Sequence, residues 1–365
     1  MPWSIRGPRA CVYKVSRRRC RVGGPEPIVH QEDVLKKLCW VGVDISAKEL
    51  VVVIERDGRK LPSIVLSNEP EGHRKLVALT TKRGWSARIV MESTGVYGLD
   101  LALALHRAKR IEVMVANPRA VSQFAGAYLQ RSKNDALDAG VLLEFAKRMP
   151  FKPWSPPAPE VLDLRSISRR IESLTKTAAQ EKNRRHASSQ SDERSEVVHN
   201  DIEVNLRHLE RRIDRLRQQA LELIGRHADL ALAFGLLTSI KGIAEAAGIQ
   251  LLAELFVLPD DMTVRQWVAH AGLDPREFQS GSSVYKPARI SKKGNTHLRR
   301  ALFMPALVAI RWEPNVEAYY RKLLGRGKTK MQANVAVMRK LLHAIYGMLK
   351  NGEKFNGEKF FAIRA

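Results

Sequence analysis

Apolar positions change their spacing along this chain, and the changes mark out its elements. Leu38–Val43 is a short continuous apolar run that ends at Asp44, and a second, Val-rich run covers Leu50–Ile54. Runs this short predict strands. Asp57-Gly58 is a hairpin turn signal, so Lys60–Leu66 is expected to return as a third strand, tolerating Pro62 only near an edge. The pattern then predicts a helix over Glu71–Lys82, a strand over Ala87–Met91 ending at Glu92, and a helix over Leu99–Arg107. A strand over Ile111–Val115 and a helix over Asp135–Arg148 follow. Three adjacent strands and then alternating helix and strand predict an α/β, RNase H-like domain over residues 37–152.

Pro153–Pro159 holds four prolines in seven residues and marks a boundary. Residues 160–224 then contain neither Pro nor Gly. Apolar side chains recur at Leu164, Ile167, Ile171, Leu174 and Ala178, and again from Ile202 through Leu206, Leu209, Ile213, Leu216 and Ala220 to Leu223. The second series alternates steps of four and three, which is heptad spacing. Residues 153–227 are thus read as a linker and a helical coiled-coil region. They form an antiparallel hairpin, an intersubunit coiled coil, or helices packed on their own domain, with the polar stretch Glu181–Asn200 an exposed or bent part. Residues 228–352 are expected to be a second, mainly helical domain, and 353–365 a tail. Within it, Leu237–Ala244 followed by apolar Ala246–Phe256 resembles a helix-hairpin-helix, with Ala244 in place of the usual second glycine. That substitution leaves phosphate contact and simple packing equally open.

Charge adds a partner. Sixty-two Lys and Arg against 38 Asp and Glu give a formal net charge of +24, which favours a polyanion, nucleic acid foremost. Residues 1–36 read as a disordered basic arm or as the product of an upstream start codon. Residues 276–300 carry seven basic groups against Glu277, and 321–340 carry seven and no acid. By contrast, 181–217 hold nine basic and eight acidic groups. Phosphate contacts are therefore expected mainly in the C-terminal third. No apolar run approaches the roughly 18 residues a membrane span needs, and the start lacks the apolar stretch of a secretory signal. Cys11, Cys20 and Cys39 form neither a metal-ligand nor a disulfide pattern. These features point to a cytoplasmic, nucleoid-associated protein.

The candidate chemistry is carboxylate chemistry. Asp44 and Glu92 each end a predicted strand, and Asp135 and Asp138 lie three apart at a predicted helix start, where acids also suit the helix dipole. Four carboxylates converging on one edge would repel unless a cation neutralised them. Oxygen ligands without His or Cys select Mg²⁺ or Mn²⁺. Such a site would polarise a phosphate and stabilise the attacking and leaving oxygens, so a metal-dependent nuclease or transposase follows from the residues.

Several local sequences sharpen this reading: Val41-Gly-Val-Asp-Ile-Ser-Ala-Lys48, Met91-Glu-Ser-Thr-Gly-Val-Tyr97, Asn117-Pro-Arg119 and Lys133-Asn-Asp-Ala-Leu-Asp-Ala139. Ala271-Gly-Leu-Asp-Pro275, Gln279-Ser-Gly-Ser-Ser283 and Ile290–Arg300 continue the series. From about Leu38 to Gly352 the chain resembles the Asp-Glu-Asp-Asp transposases of the IS-one-ten insertion-sequence family. The resemblance implies a RuvC-like N-terminal domain and a C-terminal nucleophilic serine at the position of Ser280. That serine would hold a DNA end as a phosphoserine while strands exchange. It further implies guidance by a bridge RNA that pairs with donor and target DNA. It also implies a composite site formed between subunits of a homodimer or homotetramer, with the helical region the natural dimerisation element. Without the resemblance, Ser-Gly-Ser-Ser is ordinary turn composition, and Ser282, Ser283 and Ser291 rank equally with Ser280.

Lys133, Lys286, Arg289, Lys292, Lys293, Arg299 and Arg300 are read as phosphate-facing. Tyr97 and Trp267 are read as core aromatics, and His297 as a helix-surface residue and no ligand. Two alternatives remain beside the serine recombinase. One is a structure-specific nuclease, like a Holliday-junction resolvase, in which water attacks. The other is a basic nucleic-acid-binding protein whose acidic site has decayed.

Overall fold

The computed structural model describes residues 37–92, 97–127, 134–190, 195–280 and 284–363. The basic arm expected at 1–36 and Lys133 lie outside them. The chain divides into two compact units whose sequence boundary is Pro156/Pro157.

The first unit is built on one mixed sheet. Its strands are β1 (Leu38–Ile45), β2 (Glu49–Arg56), β3 (Arg59–Lys60), β4 (Ile64–Ser67), β5 (Ser86–Glu92) and β6 (Ile111–Ala116). The order is β3-β2-β1-β5-β6, with β4 also on β2. β2 runs antiparallel to β1, whereas β5 and β6 follow parallel. Asp57 and Gly58 both have positive φ, 48° and 76°, the geometry of a tight hairpin turn whose twist matches the strands. The single strand expected at Lys60–Leu66 is two strands, β3 and β4, with Leu61–Ser63 between them. Pro62 at this break has no N–H to give a ladder.

Alternation along the strands assigns the two faces. Val41, Val43, Ile89 and Met91 pack with Leu76 of α1 (Pro70–Thr81) and with Leu101 and Leu105 of α2 (Leu99–Arg107). The opposite face carries Gly42, Val53 and Val90, covered by α4 (Asp135–Arg148), with α3 (Pro118–Ala127) beside it through Val121. The helix over 118–127 has no counterpart in the sequence expectations. Gly42 permits this packing: a Cβ there would sit 1.9 Å from the Ala139 carbonyl oxygen.

The second unit begins with two long helices, α5 (Pro159–Ser188) and α6 (Glu196–Arg226). They pair antiparallel within the chain, Lys182 reaching Glu210 at 2.9 Å and Arg185 reaching Glu203 at 3.0 Å. Ile171, Leu174 and Ala178 meet Ile202, Leu206, Leu209 and Ile213, so the heptad seam is closed inside one chain. At the base, Val161, Leu164, Ala220 and Ile224 join the core formed by the rest of the unit. That core is assembled by α7 (Ala228–Thr238), α8 (Glu245–Leu255), α9 (Val264–His270), α10 (Thr296–Trp312), α11 (Pro314–Gly325), α12 (Lys330–Asn351) and the short α13 (Gly357–Phe360). Trp267 is fully buried and meets Tyr346 edge-on at 5.1 Å. The turn between α7 and α8 packs inward: a Cβ on Gly242 would lie 2.6 Å from the Pro305 carbonyl oxygen, and Ile240 and Ile243 are buried. This inward contact fits the packing reading of the turn. A hairpin of β7 (Pro275–Ser280) and β8 (Val284–Ile290) interrupts the helices, in a region expected to be mainly helical.

Candidate functional site

Sheet register brings the first acidic pair together. In the parallel ladder Val43 lies opposite Met91, the last pair, so Asp44 and Glu92 each stand one residue further on, towards the carboxyl ends of both strands. Paired residues of a parallel ladder share a face, and faces alternate along a strand. Asp44 and Glu92 therefore project on the side of Gly42 and Val90, the side covered by α4. Val51, which pairs with Asp44 across β2, packs beside Ala139 and Leu143 of that helix.

The second pair arrives from α4. Asn134 caps this helix, its side-chain oxygen accepting from the Leu137 amide at 2.8 Å, which fixes Asp135 and Asp138 in the first turn. Ala139, one residue on, is the residue that touches Gly42, two positions before Asp44. All four acids thus share one edge and one face of the sheet. Asp135 is exposed and the other three are half-buried. Among the described residues no three His, Cys, Asp or Glu side chains close into a group able to hold a metal ion. The donor set itself, four carboxylates, is of the hard kind that Mg²⁺ and Mn²⁺ take. Tyr97, expected in the core, is 54% exposed, and its carbonyl accepts from the Asn68 side chain at 3.1 Å.

In the second unit, Ser280 is the last residue of β7, its backbone paired with Val284 beside the turn. The side chains of Ser280 and Lys286, and residues 281–283 with Ser282 and Ser283, lie outside the described residues. The stem of this hairpin is well fastened. The Ser291 amide donates to the Asp274 carbonyl at 2.9 Å, Lys292 to Gly272 at 3.1 Å and Asn295 to His270 at 2.6 Å. Ser291 also donates its hydroxyl to the Asp274 carboxylate.

Asn295 has a second task. Its side-chain oxygen caps α10 by accepting from the His297 and Leu298 amides at 2.9 and 3.1 Å. Its nitrogen donates to Glu254 at 2.6 Å. Glu254 is 1% exposed and also receives Arg169 at 2.8 Å, with Arg165 at 3.5 Å. Burial alone would push the Glu254 carboxyl up, but the bonds from Arg169 and Asn295 and the field of Arg165 outweigh it and hold the group below its usual range. Sequence reasoning passed over this network; a lone acid in the apolar stretch Ala246–Phe256 was the available signal.

The basic residues of this segment divide by task. Arg289, Lys292 and Lys293 are exposed. Arg299 donates to the Ala271 carbonyl at 2.9 Å, and Arg300 pairs with Glu172 of α5 at 2.9 Å. His297, half-buried on α10, contacts the same Glu172. Among the described residues no helix is long and apolar enough to cross a membrane.

A family model described as Transposase, of the DEDD IS110 type, matches residues 41–188, from β1 into α5. A second, described as Transposase IS116/IS110/IS902 family, matches residues 235–321 and includes the β7–β8 hairpin. The chain is 30% identical over 275 residues to a pilin gene-inverting protein of Moraxella lacunata, covering 73% of this chain and 81% of that protein. The chain belongs to the IS110 family of transposases. A Moraxella bovis protein of the same description is 29% identical over 271 residues, 73% of this chain and 81% of its own. An uncharacterized 43.6 kDa protein of insertion element IS110 from Streptomyces coelicolor is 32% identical over 120 residues, 32% of the transposase and 28% of that protein. The transposase is accordingly an enzyme of DNA recombination.

Proposed function

We propose that the transposase cuts and rejoins DNA by attack of Ser280 on a phosphodiester, with Asp44, Glu92, Asp135 and Asp138 holding Mg²⁺ or Mn²⁺. What supports the metal half is the β1–β5 register, in which Asp44 and Glu92 each follow the pair Val43 and Met91, together with the place of Asp135 and Asp138 in the first turn of α4. The strand order β3-β2-β1-β5-β6 supports an RNase H-like, RuvC-like reading of this unit. Bound there, a divalent cation would supply charge neutralisation at the phosphate and at the leaving oxygen.

The serine half rests on family resemblance and on the place of Ser280 at the end of β7, in a hairpin whose second strand carries the exposed Arg289 and is followed by the exposed Lys292 and Lys293. Its Oγ forms a bond to phosphorus, one bridging P–O bond breaks, and the departing strand oxygen takes up the serine proton. One DNA end is then a phosphoserine ester and the other a free hydroxyl. Attack by the hydroxyl of another strand reverses the step and frees the serine. One phosphodiester replaces another, so no external energy source is required.

Sequence choice is assigned to a bridge RNA pairing with donor and target DNA. The +24 charge and the lack of a base-reading motif in the sequence support this delegation. The name of the Moraxella relatives extends the outcome to DNA inversion, which the same exchange produces when both sites lie on one molecule. The working assembly is a homodimer or homotetramer. Because its heptad seam is closed within the chain, the α5–α6 hairpin would join subunits through other surfaces.

A nicked suicide substrate tests the proposal. With Mg²⁺ the wild-type protein should leave a covalent protein–DNA adduct that Ser280→Ala abolishes. Metal-dependent cleavage without an adduct would overturn it in favour of a water-using nuclease.

A further inference from the structure

The sheet edge opposite the carboxylates is basic. There β1, β5 and β6 begin, β2 turns back into β3, and α1, α2 and α4 end. Arg59 at the start of β3, and Lys82, Arg83, Lys109, Arg110 and Lys152 in the connections of this edge, are all exposed. Its carboxylates are taken by other cations: Glu55 by Lys147 at 2.6 Å, Glu112 by Arg88 at 2.8 Å and Glu144 by Lys60 at 2.6 Å. Among the described residues of these turns, Asp57 is the one acid left.

Two of the cations occupy backbone positions that disfavour them. Arg83 has φ 59° and Arg110 φ 65°, the left-handed region where a side chain crowds the following carbonyl and Gly or Asn costs least. The turns are neighbours, since the Arg110 Nη1 lies 3.3 Å from where a Cβ on Gly84 would be. Beside them a cleft of about 330 Å³ opens between Arg88, Arg110 and Glu112. Helix dipoles account for cations in last turns, such as Arg107 and Arg148. They do not account for arginines kept at strained positions beyond the helices, and such outliers point to a use.

We propose that this edge docks duplex DNA flanking the strand being cut, gripping its phosphates without reading bases. The eight residues of β1 separate the two edges by about 26 Å at ~3.3 Å per residue. A phosphate bound here is therefore not the reacting one; along a duplex it lies roughly eight base pairs away at ~3.4 Å per pair. DNA is the committed occupant because it is the substrate of the family, and a substrate cut at one edge must continue past it. That the DNA here is flanking rests on the acidic-edge reading; the binding does not.

The full-length double variants Arg83→Gly/Arg110→Gly and Arg83→Asn/Arg110→Asn remove both charges while relieving the backbone. Affinity for a long duplex is measured between 50 and 200 mM salt, with thermal stability and a hydroxyl-radical footprint alongside. The slope of log K against log salt should become shallower by about 2, at ~0.9 per lost phosphate contact. Protection roughly eight base pairs from the cut should disappear, and Tm should hold or rise. An unchanged slope and footprint would overturn the proposal, as would a fall in Tm with the slope intact. Weakened binding of a structured RNA with the DNA slope unchanged would also overturn it and give the surface to RNA. Asp44→Asn run beside these separates the two readings: if it cuts normally, the acidic edge is not the cutting site, while the salt slope still decides the docking surface.

Discussion

The N-terminal unit leaves Asp44, Glu92, Asp135 and Asp138 half-buried or exposed at one rim of its sheet, whereas the C-terminal unit buries Glu254 in its interior, and the two placements serve different ends. Around the sheet, the register of β1 and β5 carries Asp44 and Glu92 to the edge where α4 starts. In the C-terminal unit, Arg165, Arg169 and Asn295 converge on Glu254 and tie α5, α8 and the first turn of α10 to the stem of the hairpin that carries Ser280. An acid at a rim lies within reach of solvent. A fully bonded acid inside a core specifies geometry and leaves nothing over for chemistry.

Substitutions on either side sharpen that contrast. The largest effect is expected on activity, from Asp44→Asn. It should lower DNA cleavage about a thousandfold, the scale of losing one group that stabilises charge in the transition state, while Tm stays the same or rises. A large loss of stability would mean that Asp44 is structural. Next is Glu254→Gln, which removes the buried charge that the partly exposed Arg165 and Arg169 share and should cost about 1–3 kcal/mol of stability in a urea melt. Stability should depend on pH in the same direction. The Glu254 pKa is held down in the folded protein, so its contribution is complete above the unfolded value of about 4.3 and is lost as pH falls through the lower folded value. Gly42→Ala should cost about 1–3 kcal/mol by lifting α4 from β1, and with it weaken cation binding at the acidic edge. Arg300→Ala removes an exposed partner of Glu172 and should change stability by less than about 1 kcal/mol.

Much of the N-terminal unit was legible because its rules are local. A Val-rich run, an Asp-Gly turn and an Asn before Asp135 each state their own geometry, and α4 begins and ends where periodicity placed it, Asp135–Arg148. The break at Pro62 followed a rule already noted for proline and was underweighted against the apolar run. In the C-terminal unit the decisive contacts are distant in sequence. Glu254 meets Arg169, 85 residues earlier, and Asn295, 41 residues later, and nothing in the spacing announces either. The β7–β8 hairpin was missed because its segments are short, mix charged with apolar residues and carry Pro275 and Pro287, so no strand alternation stands out in the sequence. Arg299 and Arg300, read as phosphate-facing, each also have an intramolecular acceptor that spacing does not announce.

Mass-spectrometric mapping of the DNA-bound peptide tests the central claim most directly. Wild-type transposase digested after reaction with a suicide substrate and Mg²⁺ should carry a nucleotide on Ser280, and neither Asp44→Asn nor a metal-free reaction should carry any. A nucleotide on Ser282 or Ser283, or cut DNA with no modified peptide, would contradict the assignment of attack to Ser280.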